Sequence, residues 1–428
     1  MAFNVPETGQ KRIVIIGAGF GGLKLARMLR HSDFQVVLID KNNYHQFQPL
    51  LYQVAMAGLE PSSISFPLRK TFQKSKNVLI RYAEISRVDP VEKRVYADLG
   101  YLNYDMLVLA TGATTNFYGN KELQANTLPM KSISEALQLR NEILADYEYA
   151  ISTRDYARRQ ELVDIVVVGG GATGVEVAGA LAEMKKYVLP KDFRELESKE
   201  VDIYLVHAGD RLLPAMSTDA SANAEKYLID LGVHVIKNKR VGRCDGSWVY
   251  MNDDTKIPAA KVIWAAGITC PKLEGLPEEI FTNNGRIFVD HFNKIKGQSD
   301  IFVLGDGALV ADNSEYPQGH PQVAQVAIQM AKRLGKNLQI IDHSNWKPFV
   351  YKDLGSMATV GRNRAVVDLP SFRFGGFFAW IIWLVVHLYS LLGVRNKLIV
   401  FINWVWNYLT YDQSLRLIIN PKKEDGPS

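Results

Sequence analysis

Two glycine-rich turns, each set between a β-branched run and an alanine-rich stretch, constrain this chain more than anything else in it. Gly17-Ala18-Gly19-Phe20-Gly21-Gly22 follows the apolar run Arg12–Ile16, and Gly169-Gly170-Gly171-Ala172-Thr173-Gly174 follows Asp164–Val168. One such turn is weak evidence, but two in the same strand–turn–helix setting predict two Rossmann-like units and two dinucleotides. In each, the first glycine permits the tight turn, the second lets the backbone approach a pyrophosphate, and the third packs the helix on its strand. The helix that follows, Gly22–Leu29 in the first copy, aims its N-terminal amides at phosphate charge.

The first unit continues as a strand, Gln35–Ile39, that ends at Asp40, 21 residues after Gly19. That spacing suits a carboxylate on ribose hydroxyls; the plainer reading is a helix-capping Asp. The second unit continues through Gly174-Val175-Glu176-Val177-Ala178-Gly179, a charged helical insertion over 180–199, and a strand, Val201–Val206, ending at His207. Glu176, read as lying in the first helical turn, either complements the helix dipole or works in the site. Gly179 reads as a close-packing contact, and Thr127–Arg159 as a connector leading into a long helix.

With 428 residues the chain has room for two or three domains. Its two cysteines, Cys244 and Cys270, are too few for a disulfide scaffold or a four-ligand zinc site; both read as small buried hydrophobes within the second nucleotide unit and point to a reducing compartment. The first 11 residues carry no signal or transit character. Of the net charge of +5, +4 lies from Tyr351 onward, where nine Lys/Arg face five Asp/Glu. A basic tail asks for nucleic acid or anionic lipid. No groove-reading motif is present, so nucleic acid is not expected.

After Asp40 comes Lys41, then Asn43-Tyr-His-Gln-Phe-Gln48-Pro-Leu-Leu-Tyr-Gln53-Val-Ala55. With this phrase the chain resembles the type II NADH dehydrogenases, the non-pumping NADH:quinone oxidoreductases, over roughly Lys11 to Ile419. The resemblance implies that this loop runs along a non-covalent FAD and reaches its isoalloxazine. It likewise places Ala110-Thr111-Gly112, at the end of Leu107–Gly112, beside the FAD, and Asp306, in the Ile301–Asp306 strand with Gly305, on the ribityl chain. Val262–Gly267, ending Ala266-Gly267, repeats that strand-turn in the second unit, which by resemblance binds NADH. Disulfide reductases of similar outline place a C-x-x-x-x-C pair after the first unit; 46–58 contains no cysteine, so thiol exchange at the flavin is excluded. Sulfide:quinone oxidoreduction, which uses cysteines to carry sulfur, is set aside for the same lack.

The resemblance also implies site roles. It places Glu176 near nicotinamide and flavin, positioning NADH or moving a proton. The family usually has Glu where this chain has His207; a neutral imidazole does not repel a 2′-phosphate, so weaker discrimination against NADPH is expected. Gln325 and Gln329, four apart on one helix face, match the helix at the flavin edge where a quinone headgroup docks, and an amide offers a carbonyl both donor and acceptor. Met330 stands where relatives often carry a second Gln. Lys352 is not expected to be catalytic.

The tail supplies a place for a lipophilic substrate. From Gly375 to Val394 there is no Asp, Glu, Lys or Arg; the length just qualifies as a span, though its glycines and His387 argue against one. A second apolar helix follows Arg395-Asn-Lys397, with Asn396, Asn403, Asn407, Thr410 and Ser414 in one polar stripe. Its wide apolar face fits an in-plane interfacial helix or, as the plainer alternative, a homodimer or buried interface. The expected architecture is α/β: two interleaved Rossmann-like domains and a C-terminal amphipathic-helix docking region. The expected boundaries are 1–125 and 285–350 for FAD, 126–284 for NAD(H) and 351–428 for docking. The implied function is respiratory two-electron reduction of ubiquinone or menaquinone by NADH at the cytoplasmic face of a bacterial inner membrane, with no proton pumping. The competing readings are a different acceptor or a redox sensor.

Overall fold

The computed structural model describes residues 3–310, 312–411 and 415–419. The chain forms two compact units: one built from the chain up to Gln46, Ser65–Thr114 and Ile268–Asp353, the other from Phe47–Ile64, Thr115–Gly267 and Leu354 onward. The crossings thus fall near 114 and 268 rather than at 125 and 284. Two packing facts explain the difference. Asn116 N–H donates to Gly267 O, at 3.1 Å, within the second unit. The short helix Leu51–Ala55 packs on the helices Ile133–Ser152 and Ala172–Tyr187 and takes its segment along. The tail folds with this unit from Leu354 instead of standing as a region of its own.

In the first unit a parallel sheet runs Ile301–Val303, Met106–Leu109, Arg12–Ile16, Gln35–Asp40, Val78–Tyr82. Every residue of Arg12–Ile16 is buried, as both faces of a parallel sheet require. The helices Phe20–Leu29 and Ala324–Asn337 pack against each other.

The second unit repeats the arrangement. Its sheet runs Leu128–Pro129, Lys261–Trp264, Ile165–Val168, Ile203–Val206, Val233–Ile236. In both sheets the strand before the glycine turn lies between the next strand in sequence and a much later one. That reversal of direction is the switch point at which open α/β sheets bind ligands, beyond the carboxyl ends of the strands. Gly179 is a close-packing contact as expected, since a Cβ would lie 2.8 Å from Gly361 N. Both cysteines are buried, but Cys270 belongs to the first unit, not the second; its thiol donates to Asp306 O at 3.3 Å.

The tail comprises an antiparallel sheet, Ser356–Thr359, Ala365–Leu369 and Phe372–Gly376, and two helices, Phe377–Ser390 and Val394–Thr410. The 14-residue first helix is about 21 Å long at 1.5 Å per residue, short of the ~30 Å hydrocarbon core. Among the described residues no helix is long and apolar enough to cross a membrane.

Candidate active site

Each glycine turn forms the same cradle. Gly17 and Gly169 have positive φ, 98° and 114°, and a Cβ on them would run into the main chain of Ala110 and Ala265 respectively. A Cβ on Gly22 or Gly174 would run into the carbonyl of Gly17 or Gly169. Gly19 and Gly171, by contrast, face open space at the helix N-caps. The backbone is therefore closed where strand and helix touch and open where a pyrophosphate approaches, so both sites fit a dinucleotide.

In the first unit the Asp40 carboxylate accepts from Ala18 N–H and Asn42 N–H, both at 2.6 Å. Burial raises its pKa, and these two donors oppose the rise. Asp40 thus braces the glycine turn while remaining partly open. Lys41 is exposed and pairs with Glu84 at 3.5 Å. Phe20 meets His45 edge-on, 5.3 Å between centroids. His45 carries a hydrogen on Nδ1, since its partner there is Ala18 O at 2.8 Å; burial lowers its pKa and keeps it neutral. The phrase around Asn43–Ala55 therefore includes a residue that ties the loop to the glycine turn, a role unassigned in the sequence reading.

Ala110 N–H bonds Ile16 O at 2.8 Å; Thr111 and Gly112 continue beyond it, partly exposed. Gly305 N–H points at Met330 Sδ, 3.4 Å, and Asp306 O receives Gln322 Nε2 at 3.1 Å. Met330 is fully buried, so a Gln at this position would face the interior rather than a quinone. Gln329 is also committed: its Nε2 donates to Lys352 O at 2.8 Å and its Oε1 accepts Lys352 N–H at 3.0 Å. It clamps the chain at Lys352; Gln325, one turn earlier on the same helix, is partly exposed.

In the second unit Thr173 is exposed beside Gly171, and Ala266 and Gly267 are partly exposed at the end of Lys261–Trp264. His207 Nδ1 accepts Gly170 N–H at 3.1 Å. Burial lowers its pKa, against an opposing main-chain bond with Arg211. The ring is neutral at pH 7 and anchors the glycine turn to the strand end, a second duty beside the ribose contact expected of it. Gln48 and Gln53 lie in this unit, although the expected boundaries placed them with the first. Gln48 is exposed. Gln53 is engaged at both ends, donating to Tyr52 OH at 2.8 Å and accepting Trp404 Nε1–H at 2.7 Å.

Glu176 departs from the sequence reading in one respect. Its helix begins at Ala172 with no acid in the first turn, so Glu176 is in the second turn and dipole complementation does not explain it. Burial instead pushes its carboxyl up to about 8, against hydrogen bonding from the Thr359 main chain and the Trp383 side chain. At pH 7 the group holds its proton and is a neutral donor at the edge of a nucleotide site.

Residues 11–331 match the pyridine nucleotide-disulphide oxidoreductase family model, and 354–411 match that of the NDH2 C-terminal domain. Two type II NADH:quinone oxidoreductases of Mycobacterium tuberculosis, NdhA and Ndh, are each 35% identical, over 92% and 93% of this chain and 87% and 88% of theirs. The chain belongs to the type II NADH:quinone oxidoreductases. A solved structure of NDH2 from Plasmodium falciparum in complex with NADH has the same fold, with a TM-score of 0.87 at 21% identity, over 96% of this chain and all of that one. This type II enzyme therefore binds a flavin and NADH and passes electrons from NADH to a quinone. A different acceptor and a sensing role are not favoured.

What the reading of this type II enzyme missed lies in the tail. Tyr52 and Trp404, far apart in sequence, hold the Gln53 side chain between them, and Trp383 packs against both rings. No spacing rule joins residues some 330 positions apart. The one usable signal was the tail's four tryptophans, Trp380 and Trp383 in one apolar stretch and Trp404 and Trp406 in the next.

Proposed function

We propose that the flavin is a non-covalent FAD in the first unit, that NADH binds the second, and that the quinone is a membrane quinone taken up from a lipid surface on which the tail lies. The observation that carries this reading is the duplicated cradle, each with its middle glycine facing open space at a helix N-terminus. FAD, when bound, supplies hydride acceptance and release of two electrons to quinone. The chain places and shields the partners. The amides at Gly19–Gly22 and Gly171–Gly174 receive the two pyrophosphates. Asp40 takes the FAD ribose. Asp306 takes the ribityl chain, and His207 the NADH ribose. Glu176 holds a proton near the nicotinamide, and Gln325 meets the quinone carbonyl while Gln329 positions the Lys352 main chain.

The tail supports lipid docking. In Val394–Thr410, Asn396 donates inward to Ser62 O and Ser63 O, at 2.9 and 3.1 Å, and Asn407 to Gly58 O at 3.1 Å. Thr410 bonds its own helix at Trp406 O, and Ser414, also placed in the stripe, lies outside the described residues. Asn396 and Asn407 thus face protein carbonyls, while Leu398, Phe401, Ile402, Val405 and Leu409 are exposed. A helix in water does the reverse. With Arg395 exposed beside this face, an anionic leaflet suits it better than a second copy of the chain. The side of the membrane is the one that carries NADH, the cytoplasmic face of a bacterial cell membrane.

The test is anaerobic. NADH added to the purified protein should bleach the flavin absorbance, and a quinone should restore it. Acid extraction should release FAD; release of FMN, or a flavin that stays on the chain, would defeat the assignment.

A further inference from the structure

We propose that the first unit carries a second anion site, away from its glycine cradle: a basic cavity that takes a phosphate-bearing anion. Three stretches of this unit, 20–31, 68–76 and 324–337, carry three, four and three Lys/Arg and no Asp or Glu. The helices Phe20–Leu29 and Ala324–Asn337 pack side by side, which brings Lys24, Arg27 and Lys332 near one another. Burial lowers the pKa of Lys24, and the charges of Lys332 and Arg27 lower it further. Like charges gathered on one side of a unit, with no carboxylate in the same stretches, hold a positive potential that draws anions.

The cavity lies between the first two stretches and has a volume of about 300 Å³, the lower end of small-ligand sites. Arg30, His31, Lys70 and Lys74 line it, all of them exposed. The remaining lining residues, Thr71, Gln73 and Ser75, are neutral and offer hydroxyl and amide donors. Among the described residues Arg30, Lys70 and Lys74 have no ion pair, so three full charges are left for a ligand. The walls are tied together. The Asn77 side chain donates to Leu29 O, Ser32 O and Phe34 O, at 2.8, 3.1 and 2.9 Å, and Val36 N–H bonds Asn77 O at 2.8 Å. These bonds also matter electrostatically. A helix end presents carbonyl oxygens that repel anions, but Leu29 O, at the end of Phe20–Leu29, is taken up by Asn77 and by the Ser32 hydroxyl, each at 2.8 Å. Arginine and lysine together are the set that grips phosphate oxygens. The helix is 10 residues long, about 15 Å at 1.5 Å per residue, so an anion at its C-terminal end leaves the pyrophosphate position at Gly19–Gly22 free.

The test uses the flavin-loaded full chain at low ionic strength, because salt screens exposed charges. Tripolyphosphate binding is measured by calorimetry for the wild type, for Lys70→Gln/Lys74→Gln, and for Lys121→Gln/Lys226→Gln, which removes the same charge from exposed positions of the second unit. The wild type should bind at a single site, and the cavity variant about tenfold or more weakly. The control should bind as the wild type does, and bound flavin and its bleaching by NADH should be unchanged in all three. Flotation with phosphatidylcholine vesicles, plain or containing phosphatidylglycerol, then identifies the source of the phosphate. A loss with the charged vesicles that is confined to the cavity variant assigns the site to a lipid headgroup; equal flotation of all three assigns it to a soluble phosphate compound. Equal tripolyphosphate affinity in the cavity variant and the wild type, or an equal loss in both variants, would leave only diffuse charge and overturn the proposal.

Discussion

Glu176 and His207 each take their charge state from their surroundings. A carboxyl whose pKa stands near 8 in the fold and near 4.5 in the unfolded chain binds its proton more tightly when folded. Its contribution to stability is present below pH 4.5 and is lost as pH rises toward 8, by up to roughly 5 kcal/mol. Glu176→Gln, which cannot ionise, should raise Tm relative to wild type at pH 8 and leave it unchanged at pH 4; equal melting curves at pH 8 would refute the raised pKa. At His207 a neutral ring stands where the family resemblance leads one to expect a carboxylate. The ratio of kcat/KM for NADH over NADPH should fall below about a thousandfold, some 4 kcal/mol, and His207→Glu should raise it tenfold or more. The departure at 207 was legible in the sequence. The bond from Gly170 N–H to Nδ1 was not, because it joins residues 37 apart across a turn whose path only the fold defines.

At the scale of the element, the glycine turns were the most legible part of the chain. Their chemistry is local: a strand, a turn that only glycine can make, and a helix start. A Cβ at Gly174 meets main chain, which cannot swing away as a side chain can. Gly174→Ala should therefore keep the flavin colour and lose bleaching by NADH, while Gly22→Ala should lose the bound flavin. The same phenotype from both variants would show that the two cradles do not serve separate nucleotides. The 47–64 segment was less legible. The resemblance leads one to expect it at the flavin, yet it packs with the second unit, since Leu50, Leu51 and Val54 are buried where the Leu51–Ala55 helix meets Ile133–Ser152 and Ala172–Tyr187. Buried apolar area, not motif membership, decides where a short helix goes.

At the scale of the whole molecule the proposed lipid docking rests on the tail. Its two helices turn aromatic and aliphatic side chains outward, Phe378 being 77% and Leu409 72% exposed. Each such chain gains about 1.5–3 kcal/mol on full burial in hydrocarbon, so several together outweigh the loss of free diffusion. The double variant Phe401→Glu/Leu409→Glu should abolish flotation with anionic vesicles while turnover of a soluble quinone persists; persistent flotation would return the face to a dimer interface. Periodicity in the sequence was enough to determine two Rossmann-like units, their glycine cradles and an amphipathic tail, because strand, turn and helix signals act over a few residues and survive without knowledge of the rest. Only the tertiary structure decided which way the Asn396 and Asn407 side chains turn, which amides are already taken, and that a tail tryptophan reaches Gln53. Those outcomes depend on which distant groups compete for the same buried space and the same hydrogen bonds, and no window of sequence contains both competitors.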